Sequence, residues 1–421
     1  MHDDLPGQAS ARSSPDGSPL VNEVAEWLAD QALGDTSVGD LMQGCSERLL
    51  AAGLPLWRSY LGYRTLHPLF ASISLIWKRG EDFDTVEHSH ENVFQSEAWV
   101  HSPLNYVIQR GLPFLRRRLR GDEALLDFEI LRDLRDQGGS DYLLFRIPFL
   151  SSTGDRPDGP AIQGVLGSWT TDRAGGFTDQ DIRDLTRIQR RLAVACKVQI
   201  KSQVAKNVLD TYLGMDAGRK VLDGQIRRGD GEQVHAVLWY SDMRDSTPLA
   251  DALPREEFLA LLNTYFECTA GAVLAHQGEV LRFIGDAVLA IFPIRGDEHT
   301  ASEACAHALA AMGTAGDNLK EVNQGREALG LSPIRYGLAL HLGDVVYGNI
   351  GVPERLEFSV VGPAANEAAR LESLTKELRE QVLISEDFVA SYPGAYRSLG
   401  RHNLRGVGEE MEVFAPGTGT L

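Results

Sequence analysis

The chain has 421 residues, 43% hydrophobic and 24% charged, which is enough for two or three domains with separate cores. A formal net charge of −18 and a pI near 5.1 exclude a broad nucleic-acid surface, which needs clustered Lys and Arg, so any polyanion must be met locally. Cys45, Cys196, Cys268 and Cys305 lie far apart with no Cys-x-x-Cys spacing, which sets aside a zinc ribbon and a disulfide framework and fits a reducing cytoplasm.

Met1-His2-Asp3-Asp4 lacks the basic-then-apolar order of a signal peptide, and no apolar run approaches the ~20 residues that span a bilayer. The expectation is a soluble chain without a membrane partner. Residues 1–20, rich in Ser, Gly, Asp and Pro, bury too little apolar surface to offset the entropy of ordering them and are expected to form a disordered leader. From Val21 to Ala51 the residues Val24, Trp27, Leu28, Leu33, Leu41 and Leu49 recur mostly at helical spacings. They predict two amphipathic helices, broken near Gly34, that form a lid or a dimer face. Strand-like runs at Leu54–Tyr63, Phe70–Trp77, Asp141–Phe149 and Gly164–Thr170, divided by polar and Gly/Pro segments, predict a mixed sheet domain.

Three features of this half point to no function. His88 and His90 share a face if Glu87–Glu91 is extended, but no third metal ligand can be assigned, and a polar loop accounts for them. Arg116-Arg-Arg-Leu-Arg120, balanced by Asp122 and Glu123, reads as a solvated helix face. Cys45 reads as a buried helix cysteine rather than a chromophore attachment point.

Gly164-Val-Leu-Gly-Ser-Trp169 is followed by Gly176-Phe-Thr-Asp-Gln-Asp181, which opens a helix through Ala195. Thr178 is the expected N-cap, with Asp179 and Asp181 in the first turn where the helix dipole favours acids. The stretch resembles the end of a GAF domain, which closes on a central strand, a short turn with an aromatic residue and a long helix leading to an effector. A PAS-like fold fits the same pattern. The resemblance implies a sensor domain over 21–195, with a small molecule as its ligand. Leu185, Ile188, Leu192 and Ala195 follow a 3,4,3 spacing that suits either a parallel two-helix seam or packing within the domain. Val204–Leu222 is a second helical piece, and Arg227-Arg-Gly-Asp-Gly-Glu232 a polar, glycine-bearing break, so 196–231 reads as a helical linker.

The remaining chain carries the chemistry. His235–Tyr240 has strand character and ends at Ser241-Asp242-Met243, and Thr247 opens a helix. A carboxylate at a strand end beside a helix N-terminus can hold a hard cation and a phosphate together, although Asp242 alone could be a helix cap. Gly278–Phe292 reads as two strands joined at Gly285-Asp286, where Asp286 alone could be a turn residue. Side by side, Asp242 and Asp286 could bridge two Mg²⁺ ions. Phe358–Ser373 is a strand turning through Gly362-Pro363 into a helix, and Asn366 and Arg370, at i and i+4, share one face of it. Taken alone, that pair is an exposed polar stripe.

Together these segments resemble the class III adenylyl and guanylyl cyclase catalytic domain over about Glu232 to Ala415. The ordered set is an aspartate after the first strand, a hairpin ending Phe283-Ile-Gly-Asp286, a Gly-rich stretch from Gly337 through Gly343 and Gly348 to Gly351, and Asn366-x-x-x-Arg370. The resemblance implies an α+β chain: a ferredoxin-like βαββαβ cyclase domain over 232–416 with a tail at 417–421, the GAF-like mixed α/β domain, and a connecting helix. It also implies that Asp242, Asp286 and the Met243 carbonyl hold two Mg²⁺ or Mn²⁺ ions per site, and that the 3′-hydroxyl attacks the α-phosphorus with loss of pyrophosphate. Backbone N–H groups of Arg244, Asp245, Ser246 and Thr247 would cradle the β- and γ-phosphates. Asn366 would orient the ribose and Arg370 stabilise the α-phosphoryl charge, both from the subunit opposite the metal aspartates, so a homodimer with two shared sites follows. Arg405 sits where the family places a basic residue near the leaving phosphates. Arg282 and Ser359 fall at the base-reading positions, where adenylyl cyclases usually carry Lys and Asp or Thr, and guanylyl cyclases Glu and a small residue. A cationic donor and a hydroxyl acceptor suit adenine, so ATP is the expected substrate. Arg282 could instead donate to guanine O6 or make a surface ion pair, and a catalytically inactive nucleotide-binding regulator is the alternative of a different class.

Overall fold

Two amphipathic helices lead the described residues, which in this computed structural model are 18–91, 94–149, 164–296, 300–405 and 410–417. The expected leader, up to residue 17, and the tail beyond Gly417 lie outside them. The chain forms two compact units, Met1–Thr211 and Tyr212–Leu421.

In the first unit α1 (Pro19–Ala32) starts on a proline, whose fixed φ suits a first turn, and α2 (Val38–Ala51) is capped by Ser37, whose Oγ accepts from Asp40 N at 3.1 Å. There follow β1 (Arg58–Arg64), β2 (Phe70–Lys78), β3 (Asp84–Ser89), α3 (Glu97–Val100), α4 (Pro103–Gln109), β4 (Phe114–Arg118), α5 (Glu129–Asp136), β5 (Asp141–Pro148), β6 (Gly164–Thr171) and α6 (Asp179–Leu213). The strands form one sheet in the order β3-β2-β1-β6-β5-β4. Every pairing between these strands is antiparallel.

Strand alternation splits this sheet into two faces. Leu143 and Phe145 pack with Val24, Leu28, Leu41, Cys45 and Leu49, so the apolar stripes of α1 and α2 are used up in a core and form neither a lid nor a free dimer face. Tyr142 and Leu144 face the other way, toward Val107 of α4 and Leu131 and Leu134 of α5. The basic run is a strand rather than a helix, and Asp122 and Glu123 are not its partners. Arg116 and Arg118 both reach Asp141, whose side chain is fully buried, while Arg117 pairs with Asp127. His88 Nε2 lies 2.9 Å from Ser74 Oγ and His90 Nε2 2.8 Å from the His67 carbonyl, so both imidazoles have protein partners.

Thr178 caps α6 as expected, accepting from Asp181 N at 3.2 Å while Asp181 Oδ2 accepts from Thr178 N at 2.8 Å. The helix does not stop at Ala195 but runs for 35 residues to Leu213. Leu185, Ile188, Leu192 and Ala195 are all buried in the first unit's core and offer no seam to a second helix. A different stripe of α6 is exposed: Val194, Val198, Val208 and Tyr212.

The second unit comprises α7 (Met215–Leu222), β7 (Gly231–Met243), α8 (Ser246–Ala252), α9 (Arg255–Ala275), β8 (Glu279–Ile284), β9 (Ala287–Pro293), α10 (Ala301–Ala328), β10 (Tyr336–Val352), β11 (Arg355–Val361), α11 (Pro363–Leu378), β12 (Val382–Ser385), α12 (Glu386–Ser391), β13 (Tyr396–His402) and β14 (Met411–Pro416). Its sheet runs β13-β14-β12-β10-β7-β9-β8, with β11 folded back on β10. The β10-β7-β9-β8 portion is antiparallel, and with α9 and α10 as crossovers it is the expected βαββαβ core. Val237, Trp239, Val288 and Ala290 pack under α9 and α10. Ala236, Leu238, Leu289 and Ile291 face the other side, toward Ala217 of α7 and Ala364 and Ala368 of α11.

One helix, α9, is long and apolar enough to cross a bilayer by length and composition, which corrects the expectation that no run approaches that limit. Its Leu261, Tyr265, Cys268 and Val273 are buried in the core beneath the sheet.

Candidate active site

Strand alternation sets the direction of every side chain at the end of β7. Trp239, Ser241 and Met243 turn into the core under α9, where Ser241 Oγ accepts from both Tyr265 Oη and Trp239 Nε1 at 3.1 Å. That leaves Tyr240 and Asp242 on the opposite face. Asp242 is in register with Ala287 of β9 and Gly337 of β10. The β8–β9 turn needs a left-handed residue, supplied by Gly285 at φ 64°, and Met243 N donates to the Asp286 carbonyl at 3.3 Å. The structure thus brings Asp242 and Asp286 together at adjacent backbone turns. Burial, and then the Asp286 carboxylate, push the Asp242 carboxyl above its ordinary range, and Lys376 pulls the other way. Burial, followed by the Asp242, Glu372 and Asp286 carboxylates, also raises the Tyr240 phenol.

Beyond Met243 the four expected phosphate-cradle residues divide. The Arg244 N–H donates to the Arg335 carbonyl at 2.7 Å and is not free to meet a phosphate, which corrects that part of the expectation. Asp245 adopts φ 60° and precedes α8, and its Oδ2 accepts from Arg335 Nη2 at 2.6 Å. α8 opens at Ser246, one residue before Thr247. The Arg244 side chain turns toward α11 and pairs with Glu372 at 3.1 Å, with Thr375 Oγ1 as a further partner of its guanidinium. A Cβ on Gly337 would overlap both Arg244 Nη2 and Glu372 Oε1, so a side chain there would have to displace the ends of the pair.

On α11, Ala364, Ala368, Leu371, Glu372 and Thr375 are buried. Asn366 and Arg370 are exposed and make no hydrogen bond or ion pair among the described residues. At about 100° per residue, Asn366 lies about 40° round the helix from Arg370, whereas Glu372, Thr375 and Lys376 lie about 120–160° from Arg370. Asn366 and Arg370 therefore point away from the stripe that meets Arg244 and Asp242, and no contact joins them to the two aspartates of their own chain. Beside Asn366, Glu367 Oε2 sits 3.0 Å from the buried His341 Nε2, and that imidazole lowers the Glu367 carboxyl.

The two base-position residues are placed separately. Arg282 of β8 pairs with Glu357 of β11, the ion pair foreseen as an alternative. Ser359 is buried on β11 opposite Gly348. Arg405 is exposed with no ion pair among the described residues. Sequence reasoning missed Lys376, Glu372 and Glu357. Glu372 and Lys376, spaced i and i+4, carried a weak signal that they share a helix face. Glu357, at i−2 from Ser359 on a strand, carried a signal that those two share a face.

Among the described residues no group of three or more His, Cys, Asp or Glu gathers into a metal site. What the chain offers a cation here is two hard carboxylates, Asp242 and Asp286, donors suited to Mg²⁺ or Mn²⁺ when substrate and water complete the set.

Residues 232–415 match the model of the adenylate and guanylate cyclase catalytic domain. Adenylate cyclase 1 of Rhizobium meliloti (strain 1021) is 31% identical over 252 residues, covering 58% of this chain and 37% of that protein. The adenylate cyclase of Anabaena cylindrica is 32% identical over 165 residues, covering 39% of this chain and 32% of that protein. The chain thus spans about a third of the length of these curated relatives. Among solved structures, the guanylyl cyclase Cya2 is 28% identical, with a TM-score of 0.39, over 45% of this chain and 95% of that one. The part of the chain that this family model matches, residues 232–415, runs from the start of β7 to the last strand, β14.

Proposed function

We propose that this chain is an adenylate cyclase that converts ATP to 3′,5′-cyclic AMP and pyrophosphate in a homodimer. The observation that carries this reading is the approach of Asp242 and Asp286 at the ends of neighbouring strands, within a domain that matches the cyclase family. Class III cyclase domains are generally metal-dependent. Asp242, Asp286 and the Met243 carbonyl would hold two divalent cations, whose Lewis acidity favours ionisation of the ribose 3′-hydroxyl and offsets the triphosphate charge.

The chain's own residues then divide the work. The N–H groups of Asp245, Ser246 and Thr247 and the side chain of Arg405 meet the β- and γ-phosphates. Asn366 of a second copy orients the ribose, and the Arg370 guanidinium of that copy stabilises charge on the α-phosphoryl group as pyrophosphate leaves, a task that suits a fixed donor fork. The outward face of Asn366 and Arg370 supports this division, because a monomer leaves them without partners. Arg282 and Ser359 read the base. The first unit acts as a GAF-like sensor of a small molecule, supported by its sheet with helices on both faces and by the long α6 that leaves it. Four free, buried cysteines suit a reducing, cytoplasmic setting.

A specific observation favours a second reading for the base. Glu357, paired with Arg282, lies two residues from Ser359 on one strand, and its carboxylate could accept from guanine N1–H and N2–H. The test is the purified chain with ATP or GTP and Mg²⁺ or Mn²⁺, monitored for 3′,5′-cyclic product. Cyclic AMP from ATP is expected. Preferential cyclic GMP formation, lost in Glu357→Gln, would establish the second reading, and absence of product from both would leave a nucleotide-binding regulator.

A further inference from the structure

The helix that presents Asn366 and Arg370 outward reaches the metal aspartates of its own chain with its last turns, and the contact there is a cation on an anion. Lys376 Nζ donates to Asp242 Oδ2 at 3.3 Å. An exposed lysine beside a carboxylate is ordinarily of little consequence, since such pairs are mobile and screened. Here the residues just before it are fixed. Glu372 is 3% exposed and pairs with Arg244 at 3.1 Å, and Thr375, also buried, takes the same guanidinium. Arg244 in turn lies two residues from Asp242 and has its own N–H tied to Arg335. The backbone that bears Lys376 is therefore anchored to the strand end that bears Asp242, which keeps the ammonium within reach of that carboxylate.

The electrostatic setting gives this contact a purpose. Asp242 is partly buried and faces Asp286, and two carboxylates without a cation repel each other. The positive group facing Asp242 is Lys376, and the nearby guanidinium of Arg244 is already paired with Glu372. We propose that Lys376 is the resident counter-ion of the aspartate pair: it occupies Asp242 when no divalent cation is bound, keeps the two carboxylates in position, and must be displaced when a cation arrives. Lys376 is then a positioning residue that sets the cation requirement of the site. The proposal rests on the reading of Asp242 and Asp286 as metal ligands.

The expected size follows from Coulomb's law. An ammonium about 6 Å from a dication in water repels it by an amount that lowers affinity about tenfold, and screening at ordinary salt cuts this to about threefold. Removing the lysine should therefore tighten cation binding about three- to tenfold. The experiment is titration of the nucleotide-free full chain with Mn²⁺, following loss of the free-ion electron paramagnetic resonance signal. Lys376→Gln is expected to bind Mn²⁺ about three- to tenfold more tightly than wild type, and Lys376→Arg, which keeps the charge, to match wild type. Asp242→Asn is expected to bind weakly, with Lys376→Gln giving no further gain in that background. Thermal melts confirm that each variant is folded. Equal affinity in wild type and Lys376→Gln would overturn the proposal and leave the metal reading standing, whereas no Mn²⁺ binding by any variant would overturn both.

Discussion

The Arg244–Glu372 pair offers the sharpest energetic test, because its geometry predicts different outcomes for one substitution and for two. Side-chain exposures of 15% for Arg244 and 3% for Glu372 place it among buried ion pairs. Removing one partner of such a pair costs about 3–5 kcal/mol, since a charge is left without compensation, while replacing both with apolar groups is often neutral. Glu372→Gln leaves the guanidinium with Thr375 and some water, so the lower end, about 3 kcal/mol, is expected. For a unit of this size each kcal/mol moves the midpoint by about 2–4 °C, which predicts a fall of about 6–12 °C in the calorimetric transition of the cyclase unit. Arg244→Met alone should do similar harm by stranding Glu372, whose carboxyl is already raised by burial. The double variant Arg244→Met, Glu372→Leu should recover most of the loss. Gly337→Ala should destabilise the wild type by pushing the pair apart, and do much less in the Arg244→Met background. Additive single and double effects, or single losses under about 1 kcal/mol, would refute the assignment of a buried, coupled pair.

Three further outcomes follow from the same structure. Asp242→Asn should raise the melting temperature of the metal-free chain at pH 7.5. The folded Asp242 carboxyl titrates above its unfolded value near 3.8, so the cost of ionising it is absent below that value and grows as pH rises through the folded one. The gain should vanish toward pH 4, and an equal gain at both pH values would contradict the shift. Val198→Glu or Val208→Glu on the exposed stripe of α6 should weaken self-association at least tenfold in analytical ultracentrifugation, since a charge replaces about 2 kcal/mol of side-chain burial. Leu192→Glu, on the buried stripe, should instead lower the stability of the first unit, and the reverse pattern would restore the seam read from sequence. Glu357→Gln should free Arg282 and alter the ratio of ATP to GTP turnover about tenfold or less, the effect of one exposed charged contact, and an unchanged ratio would remove Glu357 from base reading.

The order of elements in the cyclase unit could be read from the chain because each functional residue sits where a pattern changes: Asp242 where an apolar strand ends, Asp286 beside the glycine of a tight turn, Asn366 and Arg370 in the first turns after Pro363. Local chemistry decides such places. The stripe on α6 could not be settled the same way. Leu185, Ile188, Leu192 and Ala195 carry a spacing that a coiled coil and a domain core share, and only the sheet beneath them shows that the core uses it. The arginine run failed for a related reason. Asp122 and Glu123 are near in sequence, but the carboxylate that holds Arg116 and Arg118 is Asp141, which strand pairing brings across. Glu372, Lys376 and Glu357 stayed hidden because their partners, Arg244, Asp242 and Arg282, lie about 75 to 134 residues away. Periodicity says nothing about contacts of that range.

The central claim, a cyclase whose active sites are shared between two copies of the chain, is tested most directly by mixing two inactive variants. Asp286→Ala lacks the metal half and Arg370→Ala the transition-state half, so each homodimer should form no cyclic product from ATP. Equal mixing with subunit exchange should place one complete site in half of the dimers and restore about a quarter of wild-type activity. A mixture as inactive as its components, with exchange demonstrated, would contradict the shared site.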